Sequence, residues 1–455
     1  MISLFQKTEV FLFTLCLLIR LAVVWTIPEI RVSSDSLEYL QLADSLDKDG
    51  SFSRDGQIET YRTPGYPFFL FVLRKIFGSD QTRWIASMQA LLSALSAMLV
   101  FRLTKCAFGR DAANLAAVLI ALNPGDGYCV TSILTESLFA FTLIGLAAVW
   151  RFRPFPVSYF NFLLCGILVG VATLIRPVAV LLFIPLTGLL AFRTQTLRST
   201  AAQACAFLIG VGCVQGTWMV RNYAQYGVAY LSEISSADLY VFWAQAAISR
   251  ETGENRETRY ENAWKEWEEA KTQLTPPQMK DEFRDQALRE LVKRKRSVGI
   301  LWIEGAVRQW VDSTLMKLLL RYNPRLPLGI GDLKTHILHP NGFRSFLLSL
   351  GIAFARVAEL LLVFLLFVGA FQTLIQVFFS GRIPADRFDA IFPAVVIVVY
   401  LFLLSSGPPA NFRFREQYAD LLIFLASPAL ISWGTYWKRI CWRVSASICI
   451  PFQES

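Results

Sequence analysis

Two short polar clusters carry functional groups in a chain that is otherwise mostly apolar. The first, Ser34-Asp35-Ser36-Leu37-Glu38-Tyr39, brings two carboxylates and a phenol close together. A carboxylate beside a hydroxyl is the minimum for general-base chemistry, in which the acid takes the proton as the hydroxyl attacks an electrophile. The second, Tyr61-Arg62-Thr63-Pro64-Gly65-Tyr66-Pro67, is a stiff turn. Gly65 admits positive φ and the prolines restrict the chain, so Arg62 is held with a fork of donors that suits a phosphate. Both clusters also read as plain architecture. Asp35-Ser36-Leu37-Glu38 fits a capping box, with Asp35 at the N-cap, Glu38 at N3, and Leu37, Leu40 and Leu46 on the apolar side of a short helix. Arg62 at a membrane surface would meet lipid headgroups. A cap uses only some of a carboxylate's lone pairs, so the two readings of Asp35 are compatible.

Further charged groups stand at the ends of apolar runs. Glu136, in Thr135-Glu136-Ser137, is either a second carboxylate of a site or a first-turn acid favoured by the helix dipole. Arg176 precedes Pro177, Arg221 follows Trp218-Met219-Val220, and Arg413 and Arg415 follow Gly407-Pro408-Pro409. Arg20 lies inside the first apolar run, where an ionisable residue is a functional candidate by default. One interfacial arginine is usually an anchor; five or six on one face look like an anion site. The only histidines, His336 and His339, are three apart and could form a zinc pair, but no cysteine or acidic pair stands near them, so a metal site is the less favoured reading. P-loop, HExxH and nucleotide-binding glycine signatures are missing. An activated donor would therefore arrive attached to lipid.

These residues hang on a hydrophobic frame. Of 455 residues 54% are hydrophobic and 17% charged, against about 25% charged in soluble domains. The apolar residues fall in runs separated by short charged loops, the pattern of an all-α polytopic membrane protein. About ten spans are expected, near 9–27, 84–104, 112–123, 131–150, 160–175, 178–192, 200–220, 350–379, 389–404 and 416–434. The first reads as an uncleaved helix rather than a signal peptide. Basic loops at 105–110, 151–153, 193–198, 382–387 and 438–443 fall on one side if the N-terminus is inside, and the positive-inside rule makes that side cytoplasmic. Both termini are then cytoplasmic. The 28–83 loop, the Asn123-Pro124-Gly125 turn, Arg176-Pro177, a large 221–345 loop and the turn at 405–415 are extracytoplasmic. The domain reading is an N-terminal membrane module (1–220) with its catalytic loop (28–83), a mostly helical extracytoplasmic loop (221–345) and a C-terminal membrane module (346–455). In the large loop, 250–297 reads as one or two helices, with a start at Thr275-Pro276-Pro277, and 298–320 as an amphipathic surface segment. The net charge of +9 reflects cytoplasmic lysines and arginines rather than nucleic-acid binding. The cysteines show no paired spacing, and free thiols are expected.

Taken together the motifs resemble the polyprenyl-phosphate-sugar-dependent glycosyltransferases of the GT-C superfamily, in a branch similar to protein mannosyltransferases and aminoarabinose transferases (glycosyltransferase family 39-like). The resemblance rests on Asp35-Ser36-x-x-Tyr39, the Tyr61–Pro67 turn, Phe108-Gly109-Arg110, Asn123-Pro124, Thr135-Glu136-Ser137-Leu138-Phe139, Arg176-Pro177, Trp218-Met219-Val220-Arg221-Asn222-Tyr223 with Tyr226-Gly227, and Asn411-Phe412-Arg413-Phe414-Arg415, in that order. It implies a GT-C-like bundle whose extracytoplasmic loops bear short interfacial helices. It further implies an inverting transferase in a bacterial inner membrane, moving a sugar from a polyprenyl-phosphate donor to a hydroxyl on an envelope glycan, lipid or protein. Asp35 would be the base. Arg62, Arg221, Arg413 and Arg415 would bind the donor phosphate, and Glu38, Tyr39, Tyr61, Tyr66 and Glu136 the sugar or acceptor. Some relatives carry two adjacent acids where this chain has Asp35-Ser36, which leaves a divalent metal open. The competing class is a transporter or flippase for an anionic lipid or lipid-linked sugar, which would place polar residues at mid-membrane in repeated halves.

Overall fold

The computed structural model describes residues 7–78, 82–153, 158–192, 196–324, 326, 343–379, 384–410 and 412–448. His336 and His339 lie outside them. The chain is helical almost throughout: α1 (Lys7–Thr26), α2 (Ser34–Lys48), α3 (Gly65–Phe77), α4 (Thr82–Phe108), α5 (Arg110–Ala121), α6 (Pro124–Val130), α7 (Glu136–Phe152), α8 (Ser158–Ile175), α9 (Phe183–Ala191), α10 (Leu197–Tyr226), α11 (Ile234–Ala237), α12 (Gln245–Thr252), α13 (Arg256–Ala270), α14 (Pro276–Lys293), α15 (Lys295–Val311), α16 (Thr314–Tyr322), α17 (Phe343–Phe379), α18 (Ala385–Ser405), α19 (Phe412–Glu416) and α20 (Ala419–Ile448). A two-residue hairpin, Ser53–Arg54 with Gln57–Ile58, interrupts the expected all-α pattern in the first loop.

Six described helices, α1, α4, α10, α17, α18 and α20, are long and apolar enough to cross a bilayer. The spans expected near 112–123, 131–150, 160–175 and 178–192 fall on shorter helices. The fourth begins at Glu136 rather than 131, because Thr131 and Ser132 leave the helix to pair with the first loop: Arg31 N–H donates to the Thr131 carbonyl at 2.9 Å, and Ile133 N–H to the Arg31 carbonyl at 3.1 Å. The sixth opens with a 3₁₀ turn over Pro177–Leu181, with the proline at its first position, where its missing N–H costs nothing. Within lipid, helices associate by close packing rather than by water exclusion. Gly166 and Gly170 of α8 do this against α10; a Cβ on Gly166 would sit 2.0 Å from the Phe207 carbonyl oxygen.

The two sets of loops separate to opposite ends of the bundle. At one end Arg102 meets Glu9 at 3.7 Å, Arg151 meets Asp386 at 3.8 Å, and Arg153 pairs with Asp389. The first loop, α6, the start of α7, the turn after α8, α16 and α19 gather at the other end. Arg20, inside α1, is a buried packing element. It donates to the Ala121 carbonyl at 2.9 Å and pairs with Asp126 at 2.7 Å, so it satisfies the C-terminus of α5.

The large loop is more structured than its composition suggests. It forms α11 to α16, with a π-helical turn over Asp238–Ala244. α14 starts as expected, with a capping box between Thr275 and Gln278. The 298–320 segment is not one surface helix: it breaks at Asp312-Ser313, and Gln309 is fully buried against the last helices, with Tyr418 donating to it at 2.8 Å.

Candidate functional site

The cap of α2 is not Asp35. Ser33 occupies the N-cap, its hydroxyl accepting from Ser36 N–H at 3.4 Å while Ser33 N–H donates to Ser36 Oγ at 2.9 Å. The Asp35/Glu38 capping box expected from spacing is therefore displaced by one built from two serines. Asp35 falls in the first turn, where a carboxylate is favoured by the helix dipole, and its oxygens face outward. Oδ1 pairs with Arg62 at 2.8 Å and Oδ2 lies 3.8 Å from Arg413, with the side chain 38% exposed.

Arg62 is the hub of the first loop. It also pairs with Glu38 at 2.6 Å and donates to the Tyr39 hydroxyl at 3.2 Å. Its guanidinium lies 5.0 Å from the ring centroids of both Tyr39 and Tyr61, a cation–π sandwich. Tyr39 packs edge-on against Tyr66 at 5.2 Å, and the fully buried Tyr66 donates to Gln89 at 2.8 Å. Gly65 does not take the positive φ that the turn seemed to need. It is there for proximity: a Cβ would sit 2.6 Å from the Leu174 backbone.

Arg413, on α19, ties the end of the chain to its beginning. It donates to Glu136 at 2.9 Å while facing Asp35, and Arg176 adds a second pair to Glu136 at 3.2 Å. Glu136 is buried, and its Oε2 has no hydrogen-bond partner among the described residues. Asp35, Glu38, Tyr39, Tyr61, Arg62, Glu136 and Arg413 thus share one cluster, with Tyr66 beneath it.

Arg221 and Arg415 are placed elsewhere. Arg221 donates to the backbone carbonyls of Glu59 at 2.9 Å and Phe52 at 3.1 Å. Its neighbours do similar work: Asn222 donates to the Tyr230 carbonyl at 2.7 Å, and Trp218 to the Leu231 carbonyl at 2.9 Å. The Trp-x-x-Arg-Asn stretch therefore clamps two loops. Arg415 is buried, donating to the Gln309 carbonyl at 3.0 Å and pairing with Glu416 at 2.9 Å. Neither guanidinium faces Asp35.

Two arginines that sequence reasoning passed over take up positions beside Arg413. Arg31 donates to the Tyr128 hydroxyl and Arg321 stacks on the same ring, 3.8 Å from its centroid. Arg321 also donates to the Thr131 carbonyl at 2.9 Å and to Ser132 Oγ at 2.6 Å. Among the described residues neither has a carboxylate partner. Burial, then the charge of Arg31, pushes the Arg321 guanidinium down; burial, then the charge of Arg413, does the same to Arg31. Guanidinium groups stay protonated at neutral pH, and the charges of Glu136 and Asp35 pull Arg31 part of the way back up. Arg321 had no sequence signal, since it stands in an amphipathic stretch of a long loop. Asp238, at the start of the π-helical turn, was also missed. Burial pushes its carboxyl up to about 6, against the pull of Arg62 and Arg176.

A divalent metal does not fit this arrangement. Asp35, Glu38 and Glu136 each meet an arginine, and among the described residues no three acidic, histidine or cysteine side chains converge as ligands.

Residues 61–219, about a third of the chain, match the family described as dolichyl-phosphate-mannose-protein mannosyltransferase. No curated protein matches the chain. Among solved structures it is similar to the oligosaccharyltransferase AglB of Archaeoglobus fulgidus. The complex with an inhibitory peptide and a dolichol-phosphate has 13% identity and a TM-score of 0.50, covering 99% of this chain and 52% of that one. The complex with zinc and sulfate has 13% identity and a TM-score of 0.51, covering 97% and 51%. ArnT from Cupriavidus metallidurans bound to undecaprenyl phosphate follows at 14% identity and a TM-score of 0.44, covering 94% and 61%. The chain spans about half the length of the archaeal structures it matches. The chain shares the helical fold of the archaeal oligosaccharyltransferase structures, a bundle with six described helices long and apolar enough to cross a bilayer.

Proposed function

We propose that this protein is an inverting glycosyltransferase of a bacterial inner membrane. It moves a sugar from a polyprenyl-phosphate donor to a hydroxyl acceptor of the envelope, with both termini cytoplasmic and the Asp35 cluster on the opposite side. The observation that carries the reading is the position of Asp35. It is released from capping, partly exposed, and faces Arg413 where the first loop, α7 and α19 meet, next to two arginines with no carboxylate ion pair among the described residues.

The chemistry is a single displacement. The acceptor oxygen forms a bond to the anomeric carbon as the bond from that carbon to the phosphate oxygen breaks. Asp35 takes the acceptor proton, and the phosphate leaves with the bonding electron pair. Negative charge then grows on the phosphate, and preorganised guanidinium groups stabilise it where it develops. Arg413 is the bridging group, because it lies between Asp35 and Glu136. Arg31 and Arg321 are better placed for the donor phosphate than Arg221 and Arg415, since an incoming phosphate would supply the charge they lack. Arg62 acts by orienting Asp35, Glu38 and Tyr39. The dolichol-phosphate held by the archaeal oligosaccharyltransferase supports a lipid-phosphate ligand here.

The test is transfer of radiolabelled sugar from purified polyprenyl-phosphate-sugar into envelope extract by the purified chain. Label moving into the acceptor fraction is the expected result. Donor crossing the bilayer of a proteoliposome with no label transferred would replace this reading by a translocase.

A further inference from the structure

A second concavity lies among the helices of the large loop. Helices α12, α13 and α14 and the π-helical turn enclose a cavity of about 720 Å³, whose lining includes Tyr240, Gln245, Asn262, Glu266, Gln286 and Arg289. The volume is within the range of small-ligand sites, but the lining is not the usual apolar one. Ile248 and Ala263 are its only aliphatic members.

Its charges are largely matched internally. Glu254 pairs with Arg259, Glu290 with Lys293 at 3.0 Å and with Arg294, and Glu266 accepts from the Tyr240 hydroxyl. A polyanion would face three carboxylates here, and a basic peptide would face Arg259 and Arg289. An acyl chain would find too little apolar surface. What the lining offers is a dense set of amide, carboxylate and guanidinium groups that donate and accept in plane, with an aromatic at one end. Asn262 and Arg289 have no hydrogen-bond or ion-pair partner among the described residues. Hydroxyl groups both donate and accept, so a polyhydroxylated ligand without strong charge is the chemistry this surface matches.

The cavity is joined to the Asp35 cluster through α13 and the π-helical turn, which contribute to both. Tyr240 stands two residues after Asp238 on the π-helical turn. On α13, which carries Asn262 and Glu266, Trp264 and Trp267 pack edge-on against Tyr61, each 6.4 Å from it between ring centroids. A π-helical turn is an uncommon element that recurs at functional sites.

We infer that this cleft binds the glycan portion of the acceptor, a neutral or N-acetylated oligosaccharide, on the helix that also packs against Tyr61 of the Asp35 cluster. The inference rests on the proposed transferase reading only for the word acceptor; the binding itself stands apart from it. The full chain carrying Asp35→Asn, in detergent, is applied to an array of neutral, N-acetylated and uronic-acid oligosaccharides, with Asn262→Trp and Arg289→Ala built on the same background. Both positions are exposed, so these changes leave the fold in place, and thermal unfolding checks that they do. Binding to neutral or N-acetylated glycans, at least about tenfold weaker in both variants, is the expected result. No oligosaccharide bound, binding unchanged by both variants, or binding confined to uronic acids overturns it. A peptide retained in place of glycan, and lost in Asn262→Trp, overturns it too. Glycan binding together with no sugar transfer by the chain that keeps Asp35 would refute the transferase and leave the cleft standing. Transfer with an acceptor KM unchanged by Asn262→Trp made in the chain that keeps Asp35 would refute the cleft alone.

Discussion

Replacing Asp35 by asparagine separates chemistry from architecture, because α2 is capped by Ser33. The change is isosteric and removes one charge. Arg62 keeps its pair with Glu38 at 2.6 Å, and the Asp35 side chain is 38% exposed, so the lost ion pair costs about 0–1 kcal/mol. Removing a general base typically lowers the rate by about 10²–10⁴-fold, which is roughly 2.7–5.4 kcal/mol of barrier. Ser33→Ala is the complementary change. It deletes the cap, costs about 1 kcal/mol of stability, and leaves the base in place. Single-turnover transfer of labelled sugar, read beside thermal unfolding of each purified variant, gives both quantities. Asp35→Asn is expected to unfold within a few degrees of the wild type and to lose transfer; Ser33→Ala is expected to unfold earlier and to keep transfer within a few-fold. Transfer by Asp35→Asn within tenfold of the wild type would refute the assignment and turn attention to Glu38, Glu136 and Asp238. Loss of folding in Asp35→Asn would show that its pairing with Arg62 is structural.

Arg321→Ala is expected to raise the KM for the lipid-phosphate donor about tenfold or more, the size of a lost charged hydrogen bond, whereas Arg221→Ala should lower thermal stability first by freeing the Phe52 and Glu59 carbonyls; equal effects on donor KM would count against the phosphate assignment. Gly65→Ala drives a methyl into the Leu174 backbone at 2.6 Å and should destabilise the fold by about 1–3 kcal/mol, seen as an earlier unfolding transition with reduced yield; a neutral effect would mean that α3 is free to move away from α8. Glu233 is buried, accepts from Thr60 at 2.5 Å and Tyr230 at 3.1 Å, and burial pushes its carboxyl up to about 7. An unfolded glutamate titrates near ~4.3, so between those values the folded chain holds a proton that the unfolded chain has released, and stability falls as pH rises through that window. Glu233→Gln should remove that loss, a gain on the order of 3–4 kcal/mol at neutral to alkaline pH; a wild-type unfolding profile that is flat across the window would refute it.

The membrane frame was legible from the chain alone because it follows from composition along a line. A run of apolar residues long enough to span the bilayer must close its own backbone hydrogen bonds, so helices and their approximate places follow without tertiary information. Segregation of basic loops did the same for which segments share an end, and the order of weak motifs pointed to a GT-C fold. Asp35, Arg62, Glu136 and Arg413 were within reach because short polar clusters beside apolar runs are conspicuous. What each arginine does was decided only by folding. Arg413 and Arg415 are two positions apart, yet one faces Asp35 and the other is buried against the Gln309 carbonyl. Arg31 and Arg321 are far apart in sequence and share the face of one tyrosine. The cap passed from Asp35 to Ser33 because α2 begins at Ser34, two residues earlier than spacing alone implied, just after Arg31 is bonded to Thr131. Side-chain roles depend on which groups meet across the bundle, and those meetings are set by helix packing and by loop closure between distant segments, neither of which is written in local spacing.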